Sequence, residues 1–391
     1  MKNTVLKCLT FMFCFCVAWS GGMYFAYLQL DGFDKSTLQF NEMKGYIKDN
    51  CLSEVDEKLA MDYALSGYVS SLDDKYARYY TAQEWEKFEN ENKGVINGIG
   101  IRIEVSESGH VTVASVFPNS PAARVGVEAG DIIDKINDIE VFGRSACDVA
   151  NILQQEDSSE FCMVFRRGGT TFNKTLTREI VELPSLEYCM DGFIGYIKII
   201  NFNSSTVQQF EDALKNLQSD GAKALIFDLR NNPGGTVESV CKILNMLLPS
   251  GVIATQVNLH GHESVLGMAD DDTEVNLPMV AITNKNTASA AELFVCDLKD
   301  YNKSRQVGQT TYGKGVLQTT KRFSSGNAVK ITTAYFNPAK SENFDKVGVK
   351  PDVEVALDKN KENLYMQGKL ELKDDDQYQA AVKLLGNYTV G

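Results

Sequence analysis

"KALIFDLRNNPGG", Lys223 to Gly235, is the stretch that decides the fold. Its first half is an apolar run of strand length, and "NNPGG" ends the run with residues typical of a tight turn. A strand-like run, "FIGYIKI" (193–199), and a helical pattern, "TVQQFEDALKNLQ" (206–218), precede it, and another apolar run, "LPMVAITN" (277–284), follows. Strands separated by helices predict an α/β core with a parallel sheet, over residues 179–358.

The composition is that of an acidic globular protein. The chain has 391 residues, of which 43% are hydrophobic, and 39 Lys+Arg against 52 Asp+Glu give a net charge of -13. The negative charge of the protein repels the phosphate backbone of DNA and RNA, so we do not expect it to bind nucleic acid. The nine cysteines form no CxxC pair, so no metal site or disulfide framework is predicted, and no cofactor is expected. We expect most of the cysteines to be small buried side chains.

The first thirty residues differ from the rest of the chain. Lys2 and Lys7 precede an uncharged run from Cys8 to Leu30, which as a helix at ~1.5 Å per residue can cross a hydrocarbon core of ~30 Å. We therefore expect a single-pass membrane anchor over residues 1–30. The alternative is a cleaved signal peptide. In both cases the lysines stay inside and the rest of the chain lies on the extracytoplasmic face.

Residues 31–93 are predicted to be helical. In "EVDEKLAMDYALSGYVSSL" apolar residues recur at helical spacing through Val55, Leu59 and Tyr63, without a cluster of titratable residues. This pattern favours an element that packs against the rest of the protein or mediates oligomerisation. Such an element could support a homodimer. At the other end of the chain, the charged tail of residues 359–391 is predicted to close with a helix.

Residues 94–178 resemble a PDZ domain, a mostly β module. "GVINGIGIRIEV" (94–105) begins a series of short alternating strands, and "FPNSPAARVGVEAGDIIDKINDIEV" (117–141) adds a small-residue helix and an Ala-Gly-Asp turn. In PDZ domains a Gly-rich loop binds a peptide's terminal carboxylate through backbone amides, and the peptide adds a strand to the sheet edge. The resemblance assigns that loop to Gly98, Ile99, Gly100 and Ile101.

Two strand ends in the predicted core carry candidate chemistry, because sites in open α/β sheets form at the carboxyl ends of strands. At the first end, Gly234 and Gly235 leave backbone N–H groups free of side chains. Such fixed donors can stabilise a developing oxyanion, although an ordinary tight turn explains the same glycines equally well.

The second strand end is "NKNTASAAELF" (284–294), which opens a predicted helix. Thr287 is expected to be the helix N-cap. Ser289 lies two residues further on, where unpaired amides favour an anion, and we expect it to be a nucleophile. A serine nucleophile needs a proton acceptor. The chain's histidines, His110, His260 and His262, are all distant in sequence.

The candidate base is Lys314, which lies between Gly313 and Gly315 in an uncharged stretch. A lysine acts as a base only when burial lowers its pKa from ~10.4. Gln318 follows four residues later, a separation of ~13 Å in a straight strand. A turn or bulge near Gly315 would let Gln318 orient the lysine without adding charge.

Three motifs together, "DLRNNPGG", "NKNTASAAE" and "GQTTYGKGVLQ", resemble the carboxyl-terminal processing (tail-specific) protease family, Ser/Lys peptidases with an embedded PDZ domain. The resemblance implies a crotonase/ClpP-like core with an inserted PDZ domain. It makes Ser289 the nucleophile and Lys314, at the family spacing of 314 − 289 = 25 residues, the general base. Gln318 would orient the lysine, and backbone amides of Gly234, Gly235 and Ala290 would form the oxyanion hole. Ala291 stands where the family usually has serine.

The sequence therefore predicts a serine endopeptidase that cleaves proteins near their C-termini through an acyl-enzyme. Its partners would be proteins with accessible, apolar C-terminal tails, and the membrane through the N-terminal helix. Two alternatives remain: a catalytically silent PDZ scaffold, and a crotonase-like acyl-transfer enzyme.

Overall fold

The computed structural model describes residues 35–154, 159–270 and 274–386. The chain divides into two compact units, residues 1–68 and 69–391. The predicted membrane helix, residues 1–30, lies outside the described residues. Within the described ranges, no helix is both long enough and apolar enough to cross a membrane.

The first unit holds helix α1 (Lys35–Asn50) and most of helix α2 (Glu57–Ser70), in agreement with the predicted helical segment. The carboxylate of Glu57 forms ion pairs with Lys44 and with Lys48. No residue of α1 is buried, and several large apolar side chains of the two helices are exposed, among them Met43, Tyr46, Leu59 and Tyr63. Exposed apolar side chains suit an oligomerisation element, and the homodimer stays a prediction.

Strand β1 (Arg78–Tyr80) and helix α3 (Ala82–Lys93) follow in the second unit. Helix α3 begins with a capping box, in which Thr81 accepts the amide of Glu84 and Glu84 accepts the amide of Thr81. It ends at Gly94, whose φ of 75° is the left-handed conformation that glycine adopts without strain. Strand β1 departs from the helical prediction because it pairs with residues 328–330, a distant partner that local periodicity does not reveal.

The next region is an antiparallel sheet of six strands with two helices, entered and left through a two-stranded ribbon. Its elements in chain order are β2 (Val95–Gly98), β3 (Ile101–Val105), β4 (Val111–Val116), α4 (Pro121–Arg124), β5 (Ile132–Ile136), β6 (Ile139–Glu140), α5 (Ala146–Leu153), β7 (Glu160–Arg167), β8 (Thr170–Thr177) and β9 (Glu179–Glu182). Alternate residues of β7, namely Phe161, Met163 and Phe165, are buried, as the period of two requires. Strands β2 and β9 pair antiparallel, so the chain enters and leaves this predicted PDZ region side by side, as an insertion does.

The core is a six-stranded sheet. Its strands in spatial order are β10 (Leu186–Asp191), β11 (Ile194–Ile199), β12 (Ala224–Asp228), β15 (Met279–Thr283), β16 (Ser304–Gly308) and β19 (Val353–Glu354). All neighbouring pairs are parallel except β10 with β11. The three apolar runs identified in the sequence form β11, β12 and β15, so the predicted parallel sheet is confirmed.

Helices cover both faces of the core sheet. The covering helices are α6 (Ser204–Ser219), α7 (Val237–Asn245), α8 (Ala290–Asp300) and α10 (Asp376–Gly386). Helix α9 (Lys359–Met366) has no buried residue and contacts the end of β12 through Tyr365. Leu225 and Phe227 pack with α6, α7 and α8, whereas Ile226 faces Tyr378 and Leu385 of α10. Every residue of β12 is therefore buried, as in a parallel sheet covered on both sides.

A second sheet of five strands includes β1. Its other strands come from segments that lie between strands of the core sheet in sequence, and one of them carries the end of the lysine motif. Its remaining strands are β13 (Gly251–Asn258), β14 (Glu263–Ala269), β17 (Val316–Arg322) and β18 (Ala328–Pro338). Strand β17 pairs with β18, and the register shifts between Leu317 and Gln318. This irregularity lies two residues beyond Gly315, where a turn or bulge was expected, and the contact between Gln318 and Lys314 stays a prediction.

A buried ionic cluster joins the end of β12 to the C-terminal helices. The Arg230 guanidinium lies 2.5 Å from Asp228 and 2.7 Å from Asp375, and the Tyr365 ring lies over it at 4.0 Å. Arg230 also donates to the Gln377 side chain. Because a buried charge is tolerated only when it is paired, this cluster fixes the loop that follows β12 against α10.

Candidate active site

Ser289 occupies a constrained position between β15 and α8. It stands at the N-cap of α8 with φ 58° and ψ −121°, a conformation that costs a non-glycine residue about 1–3 kcal/mol. Its side chain lines a cavity of about 580 Å³. Backbone strain of this kind persists only where the surrounding contacts enforce it, and it concentrates at functional sites.

Thr287 does not cap the helix, so that prediction is wrong. Its hydroxyl donates to the carbonyl of Leu229 at 2.8 Å and accepts the amide of Asn284 at 3.1 Å. Thr287 thus ties the loop after β15 to the end of β12. This cross-link holds the two predicted strand-end motifs together and leaves the N-cap position to Ser289.

Glu292 supplies contacts that enforce the Ser289 conformation. Its buried carboxylate accepts the amide of Ser289 at 2.8 Å, the hydroxyl of Thr311 at 2.6 Å, and the amides of Gly313 at 2.6 Å and Lys314 at 2.8 Å. One side chain therefore joins the serine turn to the lysine loop. Burial raises the pKa of Glu292, and these hydrogen bonds oppose the rise. Sequence reasoning missed this residue, although a glutamate in the apolar run "AAELFV" is an unusual feature that could have revealed it.

Lys314 lines the same cavity as Ser289 and is half-buried. Burial lowers the pKa of Lys314, and repulsion from Lys330 lowers it further, whereas the charge of Glu292 opposes the shift. Its Nζ lies 4.6 Å from the centre of the Tyr76 ring. Throughout the part of the chain that is described, no hydrogen bond joins the Lys314 Nζ to the Ser289 Oγ, so the two groups share a cavity without touching in this conformation.

Gln318 also lines this cavity, but its amide points to other partners than Lys314. The Nε2 donates to the carbonyl of Val316 at 3.2 Å and to the hydroxyl of Thr332 at 3.3 Å. Thr332 in turn donates its hydroxyl and its amide to Asp74. Asp74 also accepts the amide of Tyr76. A chain of hydrogen bonds therefore leads from Gln318 to the backbone of Tyr76, whose ring lies against Lys314.

The three predicted oxyanion donors differ in their availability. The Gly234 amide donates to the side chain of Asn232 at 2.8 Å, so it is already engaged. The amides of Gly235 and Ala290 have no acceptor among the residues described. Gly234 has a φ of 98°, and a Cβ on it would lie 2.8 Å from the Ser289 Cβ. Only glycine therefore permits this loop to approach the serine so closely.

The predicted carboxylate-binding loop of the PDZ region, Gly98 to Ile101, is built around Gly100. With a φ of 79°, Gly100 packs so closely on Ser120 that a Cβ would lie 2.1 Å from the Ser120 Cβ. The carbonyl of Ile99 accepts the amide of Ala122. No acceptor for the amides of Ile99 or Gly100 is found in the described ranges. Among the residues that the structure describes around the Ser289 cavity, none belongs to this loop.

A metal site is not evident near these residues. Among the residues with described positions, no group of three or more His, Cys, Asp or Glu side chains could hold a metal ion.

Comparison with known families divides the second unit as the fold does. The model of peptidase family S41 matches residues 193–355, and a PDZ domain model matches residues 112–167. The chain is 30% identical over 327 residues to "Carboxy-terminal processing protease CtpA" of Bacillus subtilis, covering 83% of this chain and 69% of that protein. It is 28% identical over 312 residues to the "Probable CtpA-like serine protease" of Staphylococcus saprophyticus, covering 79% and 62% of the two chains. The chain thus spans about two thirds of the length of these relatives.

Solved structures give the same picture of the fold. The chain is similar to the photosystem II D1 C-terminal processing protease, with a TM-score of 0.50, 26% identity, and coverage of 87% of this chain and 92% of that one. An S41 protease from Bacteroides fragilis shares the fold with a TM-score of 0.52 at 17% identity, over 87% and 93% of the two chains.

Proposed function

Because the chain belongs to the carboxy-terminal processing protease family, we propose that it is a serine endopeptidase that cleaves protein substrates near their C-termini. Ser289 acts as the nucleophile and Lys314 as the general base. One observation carries the proposal: Ser289, strained at a helix start, shares a cavity with a lysine whose pKa is lowered by burial. A serine without a histidine becomes reactive only beside such a base.

The proposed reaction begins with a movement of the Lys314 side chain. Its amine leaves the Tyr76 ring and accepts the proton of the Ser289 hydroxyl as the oxygen attacks the scissile carbonyl. The oxyanion that forms is stabilised by the free amides of Gly235 and Ala290, and the adjoining N-terminus of α8 favours the negative charge. Lys314 then protonates the leaving amine, and water later releases the acyl group from Ser289.

Gln318 acts in this proposal through its neighbours. It is anchored to Thr332, and Thr332 is anchored to Asp74, so these contacts hold the strand beside Lys314 in place. The charge of Asp74 itself favours the protonated amine. Because Gln318 is uncharged, it does not oppose the lowering of the Lys314 pKa by burial.

The PDZ region is proposed to capture the substrate tail. The amides of Ile99 and Gly100 suit a terminal carboxylate, because backbone N–H groups in a glycine loop bind anions. The apolar tail would extend along the adjoining strand β3. We further propose that residues 1–30 anchor the protein in a membrane, with the catalytic unit on the extracytoplasmic face, and that the exposed helices of the first unit support a dimer.

Cleavage of an unfolded protein with an apolar C-terminus tests the proposal. Ser289→Ala and Lys314→Ala are each expected to reduce cleavage by at least about a thousandfold, since a nucleophile and its base act as one unit. Lys285→Ala is the matched control, because Lys285 is exposed and does not line the cavity. Undiminished cleavage by either active-site variant, with wild-type melting behaviour, would refute the assignment. If the wild-type protein binds proteins with apolar C-terminal tails but does not cleave them, the result would instead indicate a catalytically silent PDZ scaffold.

A further inference from the structure

Lys330 is a second lysine in the Ser289 cavity, and its repulsion of the Lys314 charge is the one effect assigned to it above. It lies on β18, is half-buried, and lines the cavity together with Ser289 and Lys314. Its Nζ lies 4.9 Å from the centre of the Phe88 ring and 5.6 Å from that of Tyr80. Two aromatic faces therefore hold the ammonium in place, since a cation within about 6 Å of a ring centre is attracted to it.

No carboxylate pairs with Lys330 in the described portion of the chain. Glu91 is a carboxylate that lines the cavity; it is exposed and forms no ion pair with Lys330. The other charged groups near Lys314 are Glu292, Lys75 and Asp74. Glu292 accepts hydrogen bonds from the amides of Ser289 and Lys314. Asp74 accepts them from the amides of Tyr76 and Thr332. Among the described residues, the Lys330 ammonium therefore contacts aromatic rings and has no carboxylate paired with it.

A half-buried cation without a counter-ion, beside a nucleophile, is arranged for an anionic ligand. Aromatic rings stabilise a cation less than a carboxylate does, so a carboxylate that enters the cavity gains an ion pair that the protein itself does not satisfy. A carboxylate of the protein fixed beside Lys330 would also lie near Lys314. It would favour the charged form of Lys314 and so oppose its proposed role as a base.

We propose that Lys330 forms a carboxylate-binding subsite in the active-site cavity, which selects substrates that carry an acidic group close to the scissile bond. The group is either an Asp or Glu side chain or the free C-terminal carboxylate of a substrate cut a few residues from its end. This inference rests on the proposed peptidase function and adds a substrate class to it. The subsite is distinct from the PDZ loop, which does not line the cavity.

Matched peptides test the inference with the full-length protein. Internally quenched peptides with an alanine-rich sequence are prepared in pairs that differ by Glu or Gln at one position, from four residues before to four residues after the cleavage site. A second set pairs a free C-terminal acid with the C-terminal amide. For each peptide kcat/KM is measured with the wild type, Lys330→Gln and Lys330→Met. Lys321→Gln removes the same charge from an exposed position on β17 outside the cavity and is the control.

The wild type and Lys321→Gln are expected to cleave the acidic member of at least one pair about tenfold faster than its neutral partner. Both Lys330 variants should lose this preference while still cleaving the neutral peptide. The set in which the preference occurs identifies the source of the carboxylate. Equal cleavage of every pair by the wild type, or a preference that survives in Lys330→Gln, would overturn the inference. Failure of the proposed function is recognised separately, because Ser289→Ala would then cleave the peptides like the wild type.

Discussion

Replacing Glu292 by glutamine tests the most heavily hydrogen-bonded side chain of the site. Each carboxylate oxygen accepts two hydrogen bonds: one from Thr311 and Gly313, the other from Ser289 and Lys314. An amide replaces one of these acceptors by an NH2 donor. The variant can therefore keep about half of the hydrogen bonds, and it places N–H groups against N–H groups.

The magnitude follows from the character of these bonds. Hydrogen bonds to a charged group contribute about 1.5–3 kcal/mol each, so losing two costs about 3–6 kcal/mol. The buried charge disappears at the same time, which recovers part of this cost, because burial disfavours the ionised form and raises the pKa of Glu292. A net loss of about 2–4 kcal/mol is expected, or a fall of roughly 5–15 °C in the melting temperature of a domain of this size.

Differential scanning calorimetry measures this effect. Glu238→Gln is the control, because Glu238 is largely exposed and forms an i,i+4 ion pair with Lys242 that contributes at most about 0.5 kcal/mol. The Glu292 variant should also lose peptidase activity, because the link between the Ser289 turn and the Lys314 loop is weakened whichever carboxylate oxygen is replaced. If Glu292→Gln melts within ~2 °C of the wild type, the account of the strained serine turn is refuted.

Two further substitutions test the packing around the site. Asp297 is buried, and its Oδ2 has no hydrogen-bond partner among the described residues. Burial raises the pKa of this carboxyl well above its usual range. The folded protein therefore retains a proton that the unfolded chain releases above pH ~3.9. Stability contributed by this proton falls as pH rises from that value towards the folded pKa, so Asp297→Asn should flatten the slope of unfolding free energy against pH, and an unchanged slope would contradict the assignment. Gly234→Ala should abolish activity because its Cβ would lie 2.7 Å from the Ala288 carbonyl, whereas Gly221→Ala, also at positive φ but in open space, should cost about 1 kcal/mol and remain active; equal activity of both variants would contradict the close approach.

The core sheet could be predicted from sequence because its signals are local. The buried strands are continuous apolar runs, and the helices between them repeat apolar residues at helical spacing. The two strand-end motifs could be placed near each other for the same reason, since parallel strands bring their carboxyl ends to one edge. The structure accordingly places Gly234 and Ser289 around one cavity. Lys314 lines the same cavity but comes from the loop before β17, not from either strand-end motif.

Contacts between distant segments could not be predicted. Asp74 and Tyr76 reach the site from more than 200 residues away in sequence, and the Asp74 contact with Thr332 leaves no local pattern. The direction of the Gln318 side chain depends on this same contact. The cysteines were misjudged for a related reason: Cys241 and Cys296 are buried, whereas Cys51, Cys147, Cys162 and Cys189 are exposed, because an apolar neighbourhood in sequence does not show which face of a strand or helix a residue occupies.

In the proposed mechanism Ser289 is activated by Lys314, whose pKa is lowered by burial. A fluorophosphonate probe that labels reactive serines tests it most directly, with labelling rates measured from pH 6 to pH 11 and the modified residue identified by mass spectrometry. The account predicts labelling of Ser289, with a rate that rises to a plateau at a midpoint below the ordinary lysine value of ~10.4, and almost none in Lys314→Met. Labelling of a different serine, or labelling of Lys314→Met at the wild-type rate, would contradict it.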